Sequence, residues 1–185
     1  DQDGEEVKLV RYRYDDRGDM VETIDALDVS KHFIYSGGHL LVQLTNQGGM
    51  SFHWEYEGKG ENARCVHTWG DGGVMEYFIR YGKGYTHIRN GENAETEYYY
   101  GEDKLIYKIV DANGGITRHQ YNSFQELEVT VNPEGYTHKT AYNEFGRPVR
   151  ITDENEEDTF LDYDKNRNLV SLYTPGGKRL SWDYD

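Results

Sequence analysis

At 185 residues, with 36% hydrophobic and 14% aromatic residues, 21 Gly and only 3 Pro, the chain can hold one ordinary domain or a run of small repeats. Its 34 acidic and 20 basic residues leave a net charge of −14, which repels phosphate backbones and anionic lipid and argues against a nucleic-acid or membrane-surface binder. A single cysteine, Cys65, excludes an intrachain disulfide, and no apolar run reaches the length of a membrane span.

Residues 1–13 are expected to be a lead-in strand. The opening Asp1-Gln2-Asp3-Gly4-Glu5-Glu6 has neither the basic nor the apolar region of a signal peptide, and no Met precedes it. Both ends are therefore expected to be boundaries within a longer protein.

From Tyr14 onward tyrosine acts as a ruler. Tyr14, Tyr35 and Tyr56 are 21 residues apart, as are Tyr100, Tyr121, Tyr142, Tyr163 and Tyr184, while Tyr81 divides the remaining gap into 25 and 19. Residues 14–185 thus form an array of about eight repeats, irregular over 57–100. The irregular stretch carries Gly58, Gly60, Gly70, Gly72, Gly73, Gly82 and Gly84, which predict bulges or a longer loop.

Each unit holds two turn signals. One follows the ruler residue, as in Tyr14-Asp15-Asp16-Arg17-Gly18 and Tyr142-Asn143-Glu144-Phe145-Gly146. The other begins eleven residues after the ruler, at Asp25, Asn46, Asp111, Asn132 and Asp153, with glycines such as Gly114 and Gly135 three residues later. Runs between the turns alternate as half-buried strands do, for example Pro148-Val149-Arg150-Ile151 and Thr159-Phe160-Leu161-Asp162-Tyr163. Two residues before a ruler tyrosine stand Phe33, Trp54, Leu161 and Trp182, although His119 and Thr140 break this pattern. Period-locked tyrosine and tryptophan are therefore expected to pack together as core.

No window of eleven or more residues shows helical periodicity. The expected fold is all-β, with stacked antiparallel hairpin repeats forming a curved, twisted sheet.

Candidate chemistry is sparse. His53, Cys65 and His67 are the tightest group of metal-ligand types, but their spacing matches no ligand signature. Asp162, Asp164, Asn166 and Asn168 resemble the start of a calcium loop, yet Arg167 and Tyr173 stand where that loop needs glycine and an acid. Asp153, Asn155, Glu157 and Asp158 read as a solvated acidic turn. Gly70-Asp71-Gly72-Gly73 lacks the strand-to-helix context of a phosphate cradle and carries an acid, so it reads as a turn. No nucleophile elbow or His-Glu-x-x-His helix occurs. No residue is assigned a catalytic or metal-binding role, and no cofactor is expected. The residues that define the repeat are Tyr14, Tyr35, Tyr56, Tyr81, Tyr100, Tyr121, Tyr142, Tyr163 and Tyr184, with Gly18, Gly114, Gly135, Gly146, Trp54 and Trp182.

The segments Tyr142-Asn143-Glu144-Phe145-Gly146-Arg147-Pro148-Val149 and Tyr163-Asp164-Lys165-Asn166-Arg167-Asn168-Leu169-Val170 resemble Rhs repeats, also called YD repeats. Arg167 and Asn168 disturb the glycine register of the second. The resemblance spans roughly residues 12–185. It implies a segment of a hollow β-shell that encloses a C-terminal toxin domain, in bacterial polymorphic toxins, type VI secretion effectors and insecticidal toxin complexes. The implied partners are the remaining repeats, the enclosed toxin and secretion-apparatus proteins, and the implied setting is a protein secreted or injected by a bacterium. The family's self-cleavage motif begins with Asp-Pro; no such dipeptide occurs, so autoproteolysis is not assigned. The alternative is a cell-surface module that binds carbohydrate or a protein partner on its aromatic face.

Overall fold

One kind of turn, used over and over, generates the architecture. In a computed structural model, which describes residues 9–184, Asp15 N donates to Asp19 O at 2.9 Å and Gly18 N donates back to Asp15 O at 3.0 Å. The same two bonds recur at Asp111, Asn122, Asn132, Asn143, Asp153 and Asp164, among others. The leading Asx side chain completes the turn. Asp153 Oδ1, for instance, accepts from Asn155 N at 2.8 Å and Glu157 N at 3.0 Å.

The fourth residue of each turn is left-handed, with φ of 86° at Gly18, 81° at Gly114, 90° at Gly135 and 71° at Gly146. Glycine takes this conformation without a Cβ clash. The arrangement corresponds to a type I turn closed by a left-handed bulge residue, a common hairpin connection. Arg167, expected to disturb the register, occupies the same position at φ 68°. The hydrogen-bonded turn around it outweighs its local preference.

The chain divides into two units, residues up to Tyr81 with His87–Glu95, and Gly82–Thr86 with residues from Thr96 onward. In the first, β1 (Val10–Tyr14), β2 (Met20–Asp25), β3 (Ser30–Tyr35), β4 (Leu41–Thr45), β5 (Ser51–Glu57), β6 (Arg64–Gly70) and β7 (Val74–Gly82) pair in sequence, all antiparallel. Short 3₁₀ turns at Gly60–Asn62 and Asp71–Gly73 lengthen the irregular repeat. β8 (Tyr85–Asn90) has residues in each unit, and the division also falls at the last residue of β7, Gly82, and after Glu95, which opens the strand that follows.

In the second, β9 (Glu95–Tyr100), β10 (Ile106–Val110), β11 (Ile116–Tyr121), β12 (Leu127–Val131), β13 (Thr137–Tyr142), β14 (Pro148–Thr152), β15 (Asp158–Tyr163), β16 (Leu169–Tyr173) and β17 (Arg179–Ser181) do likewise. The expected all-β, antiparallel hairpin fold is what forms. Residues 1–8 of the lead-in segment lie outside the described residues; β1 covers its end.

Among the described residues Ile24 is the one buried hydrophobic side chain. The ruler rings were expected to be core, but most are half-buried, and Tyr14, Tyr81, Tyr184 and Trp182 are exposed. Within each unit a strand packs chiefly on its sequence neighbours, so a ring is covered along its sides and left open above. Backbone ladders and local side-chain bonds must then carry much of the stability.

Candidate functional site

A register shift recurs where a ruler tyrosine enters its hairpin. Pairing slips between Arg13 and Tyr14, Ile34 and Tyr35, Glu55 and Tyr56, Gln120 and Tyr121, Ala141 and Tyr142, and Asp162 and Tyr163. After the slip the tyrosine faces the opening residue of the next strand, as Tyr121 faces Leu127 and Tyr142 faces Pro148, except that Tyr56 faces Cys65, the second residue of its partner strand. A bulge of this kind disrupts the ladder locally and leaves backbone groups in need of other partners.

The next repeat supplies one. Tyr142 Oη donates to Leu127 O at 2.8 Å, Tyr163 Oη to Pro148 O at 2.9 Å and Tyr184 Oη to Leu169 O at 2.9 Å. Tyr121 does the same to Ile106 at 3.0 Å, Tyr56 to Leu41 at 2.8 Å and Tyr100 to Tyr85 at 3.3 Å. Each reaches fifteen residues back; Tyr81 reaches sixteen, to Cys65 O at 2.8 Å, because the repeat before it is longer. The acceptor of Tyr142 is the residue opposite Tyr121, so each hydroxyl clasps the bulge of the preceding repeat. The spacing of 21 is therefore the six residues from a ruler tyrosine to the residue opposite it plus the fifteen that the next hydroxyl spans. Tyr35 is half-buried opposite Leu41, and Tyr14 is exposed opposite Met20. Trp54 pairs with Thr68 and is half-buried, whereas Trp182 is 39% exposed.

The clasp hydroxyls serve as donors. Burial, then the neighbouring Cys65 thiol, pushes the Tyr56 phenol above its ordinary range, which keeps the proton it donates.

The candidate ligand residues do other work. His53 pairs with Trp69 across β5 and β6 and stacks on it at 5.1 Å. His67 stacks on Trp69 and on Phe78, 4.2 Å from each, and the Arg89 guanidinium lies 4.1 Å above Phe78. Carboxylates flank the imidazoles: Asp71 lies 3.3 Å from His53, and Glu55 and Glu76 lie 3.3 and 3.0 Å from the two nitrogens of His67. Cys65 instead donates its thiol to His67 O at 3.4 Å, and burial pushes its pKa up. Among the described residues no group of three His, Cys, Asp or Glu side chains is placed to hold a metal ion.

Trp69, Phe78 and Arg89 were not singled out from the sequence. The available signal was the period of two that sets His67 and Trp69 on one face of β6. The acidic turns are likewise committed to the backbone. Asp153 and Asp164 are held below the usual carboxylate range first by backbone N–H groups, Glu157 and Asn168 respectively. Asp158 accepts from Thr152 Oγ1 at 2.6 Å, and Asp162 accepts from Ser171 Oγ at 2.9 Å.

No family model matches the chain. Among curated proteins it is similar to the probable deoxyribonuclease RhsB of Dickeya dadantii (strain 3937), 25% identical over 161 residues, covering 86% of this chain and 11% of that protein. Among solved structures it resembles chains in crystal structures of TcdB2-TccC3, alone (TM-score 0.52) and with Cdc42 (TM-score 0.51). Identity in both cases is 11%, covering 95% of this chain and 14% or 13% of theirs. This chain thus spans between a tenth and a seventh of the proteins it matches. The tyrosine ruler and the repeated bulged hairpin thus go with a sequence similarity to an Rhs protein over most of this chain and with a fold shared with the TcdB2-TccC3 chains.

Proposed function

We propose that this chain is a wall segment of an Rhs-type shell enclosing a C-terminal toxin domain, in a protein that a bacterium secretes or injects. The observation that carries the proposal is the clasp. Every hydroxyl bond ties one hairpin to the one before it, a nearest-neighbour coupling suited to extending a wall. The repeat-defining tyrosines and turn glycines act structurally, and residues 14–185 work as one array of repeats. The wall's partners are further repeats and the enclosed domain, with secretion-apparatus proteins acting on the whole.

The chain performs no catalysis of its own. The match covers 11% of the Dickeya relative, which leaves most of that protein to carry the deoxyribonuclease activity in its name. His53 and His67 are engaged in ring stacks, and Asp153 and Asp164 in turns.

Protease protection in the intact gene product tests the reading. The C-terminal domain should resist digestion in the unaltered protein and become cleavable after in-frame deletion of residues 122–142. A C-terminal domain digested equally fast in both proteins would refute enclosure. Magnesium-dependent nicking of plasmid DNA by the purified 185-residue chain would refute the non-catalytic reading.

A further inference from the structure

The strand registers of the second unit set a row of cations on one face of its sheet. Lys108 stands opposite Arg118, Arg118 opposite Val131, and Val129, two residues from Val131, opposite Lys139. Ala141, two residues from Lys139, stands opposite Arg150, and Arg150 opposite Phe160. Residues paired in register, or two apart on one strand, project to the same side, so Lys108, Arg118, Lys139 and Arg150 share a face. Arg179 joins them through Phe160 and Tyr173. The row runs against the composition of a chain with 34 acidic and 20 basic residues.

The carboxylates on this face are engaged. Glu97 accepts from Tyr99 Oη at 2.5 Å and Asp162 from Ser171 Oγ at 2.9 Å. Asp158 accepts from Thr152 Oγ1 and lies 3.9 Å from the Arg150 guanidinium. The five cations named thus exceed the three carboxylates by two charges. Among the described residues Lys108, Arg118 and Lys139 form no ion pair. The Lys108 ammonium lies 3.5 Å from the centre of the Tyr99 ring, and Arg118 and Lys139 are exposed. Like charges directly opposite each other, as at Lys108 and Arg118, destabilise a sheet, and an anion beside both offsets that repulsion.

The shape of the charge selects the anion. The cations stand at the centres of their strands, whereas most other carboxylates of this unit stand in turns, as at Asp111, Glu134 and Glu154. A duplex or a lipid surface would meet this acidic rim, and a narrow chain lying across the strand centres avoids it. From β10 to β14 the row crosses four interstrand gaps, about 19 Å at about 4.8 Å each, which an extended segment of about six residues spans.

We propose that the face of β10–β14 carrying Lys108, Arg118, Lys139 and Arg150 binds an acidic segment of polypeptide that lies extended across the strands.

Fluorescence anisotropy on the 185-residue chain tests this with a labelled decapeptide in which Glu alternates with Ser, its Gln-for-Glu counterpart and labelled dodecathymidylate; co-sedimentation tests phosphatidylserine vesicles. The Glu peptide should bind saturably in 50 mM NaCl, about ten-fold more weakly in 500 mM NaCl, and at least ten-fold more tightly than the Gln peptide. Arg118→Gln and Lys139→Gln should each weaken it about three-fold, and the two together about ten-fold, whereas Lys165→Gln, in the turn after β15, should leave it unchanged. Arg118→Gln relieves the opposition to Lys108, so its urea midpoint should be no lower than the parent's, which separates a lost surface from a lost fold. Equal binding of the two peptides, tighter binding of dodecathymidylate, retention on the vesicles, a double variant that binds like the parent, or no saturable binding up to 1 mM would each overturn the proposal.

Discussion

Removing a single oxygen at Tyr142 isolates the clasp from the packing of the ring. Tyr142→Phe deletes the donor to Leu127 O while keeping the half-buried ring in place. A typical net hydrogen bond is worth about 0.5–1.5 kcal/mol, and a buried acceptor stranded without a donor costs more. Leu127 is 36% exposed, so water can replace part of the lost bond, and a loss of about 1 kcal/mol is expected. Tyr142→Ala also returns roughly 100 Å² of ring surface to water, about half a large aromatic side chain. At about 25 cal/mol per Å² this adds roughly 2.5 kcal/mol. The expected ratio of the two effects is thus about one to three, read from urea midpoints at unchanged slope. Hydrogen exchange should show the Tyr142→Phe loss concentrated in β11–β14, the hairpins on either side of the clasp. A Phe variant indistinguishable from the parent, or one as destabilised as the Ala variant, would refute the reasoning.

The remaining predictions concern turns and the ring stack. Gln125 holds φ 65° at a position glycine usually fills, so Gln125→Gly should stabilise by about 1 kcal/mol, measured by the thermal or urea midpoint. Gly135, at φ 90° with open space around its Cβ direction, should lose about 1–2 kcal/mol on replacement by Ala through backbone strain alone. Asp15, Asp25, Asp153 and Asp164 have carboxyls lowered from 3.8, first by backbone N–H groups, so the stability they contribute is present above about pH 4 and lost as pH falls through the lowered values. Asn at these positions keeps the same acceptor, as Asn132 and Asn143 show, so a protein with all four changed to Asn should unfold at lower pH than the parent in an acid titration followed by circular dichroism. Trp69→Ala removes the ring shared by His53 and His67 and should cost about 2–3 kcal/mol, below the cost for a fully buried tryptophan.

The sequence by itself determined the repeat, the strand class and the turn sites. Tyrosine at a fixed interval and Asx with glycine three residues on are local signals, and the hydrogen bonds they specify close within five residues. Even Arg167 kept its place, because the turn around it is held by its own backbone bonds. The tertiary structure alone decided what the ruler measures. The Tyr142 hydroxyl meets Leu127 O only once the bulge opposite Tyr121 has displaced the strand, and a residue sequence does not show a register slip. The same holds for the stack of His53, Trp69, His67 and Phe78, where cross-strand pairing, set by the turns, joins residues distant in the chain. Burial was likewise beyond local pattern, since alternation marks which side chains share a face and not whether another layer covers that face.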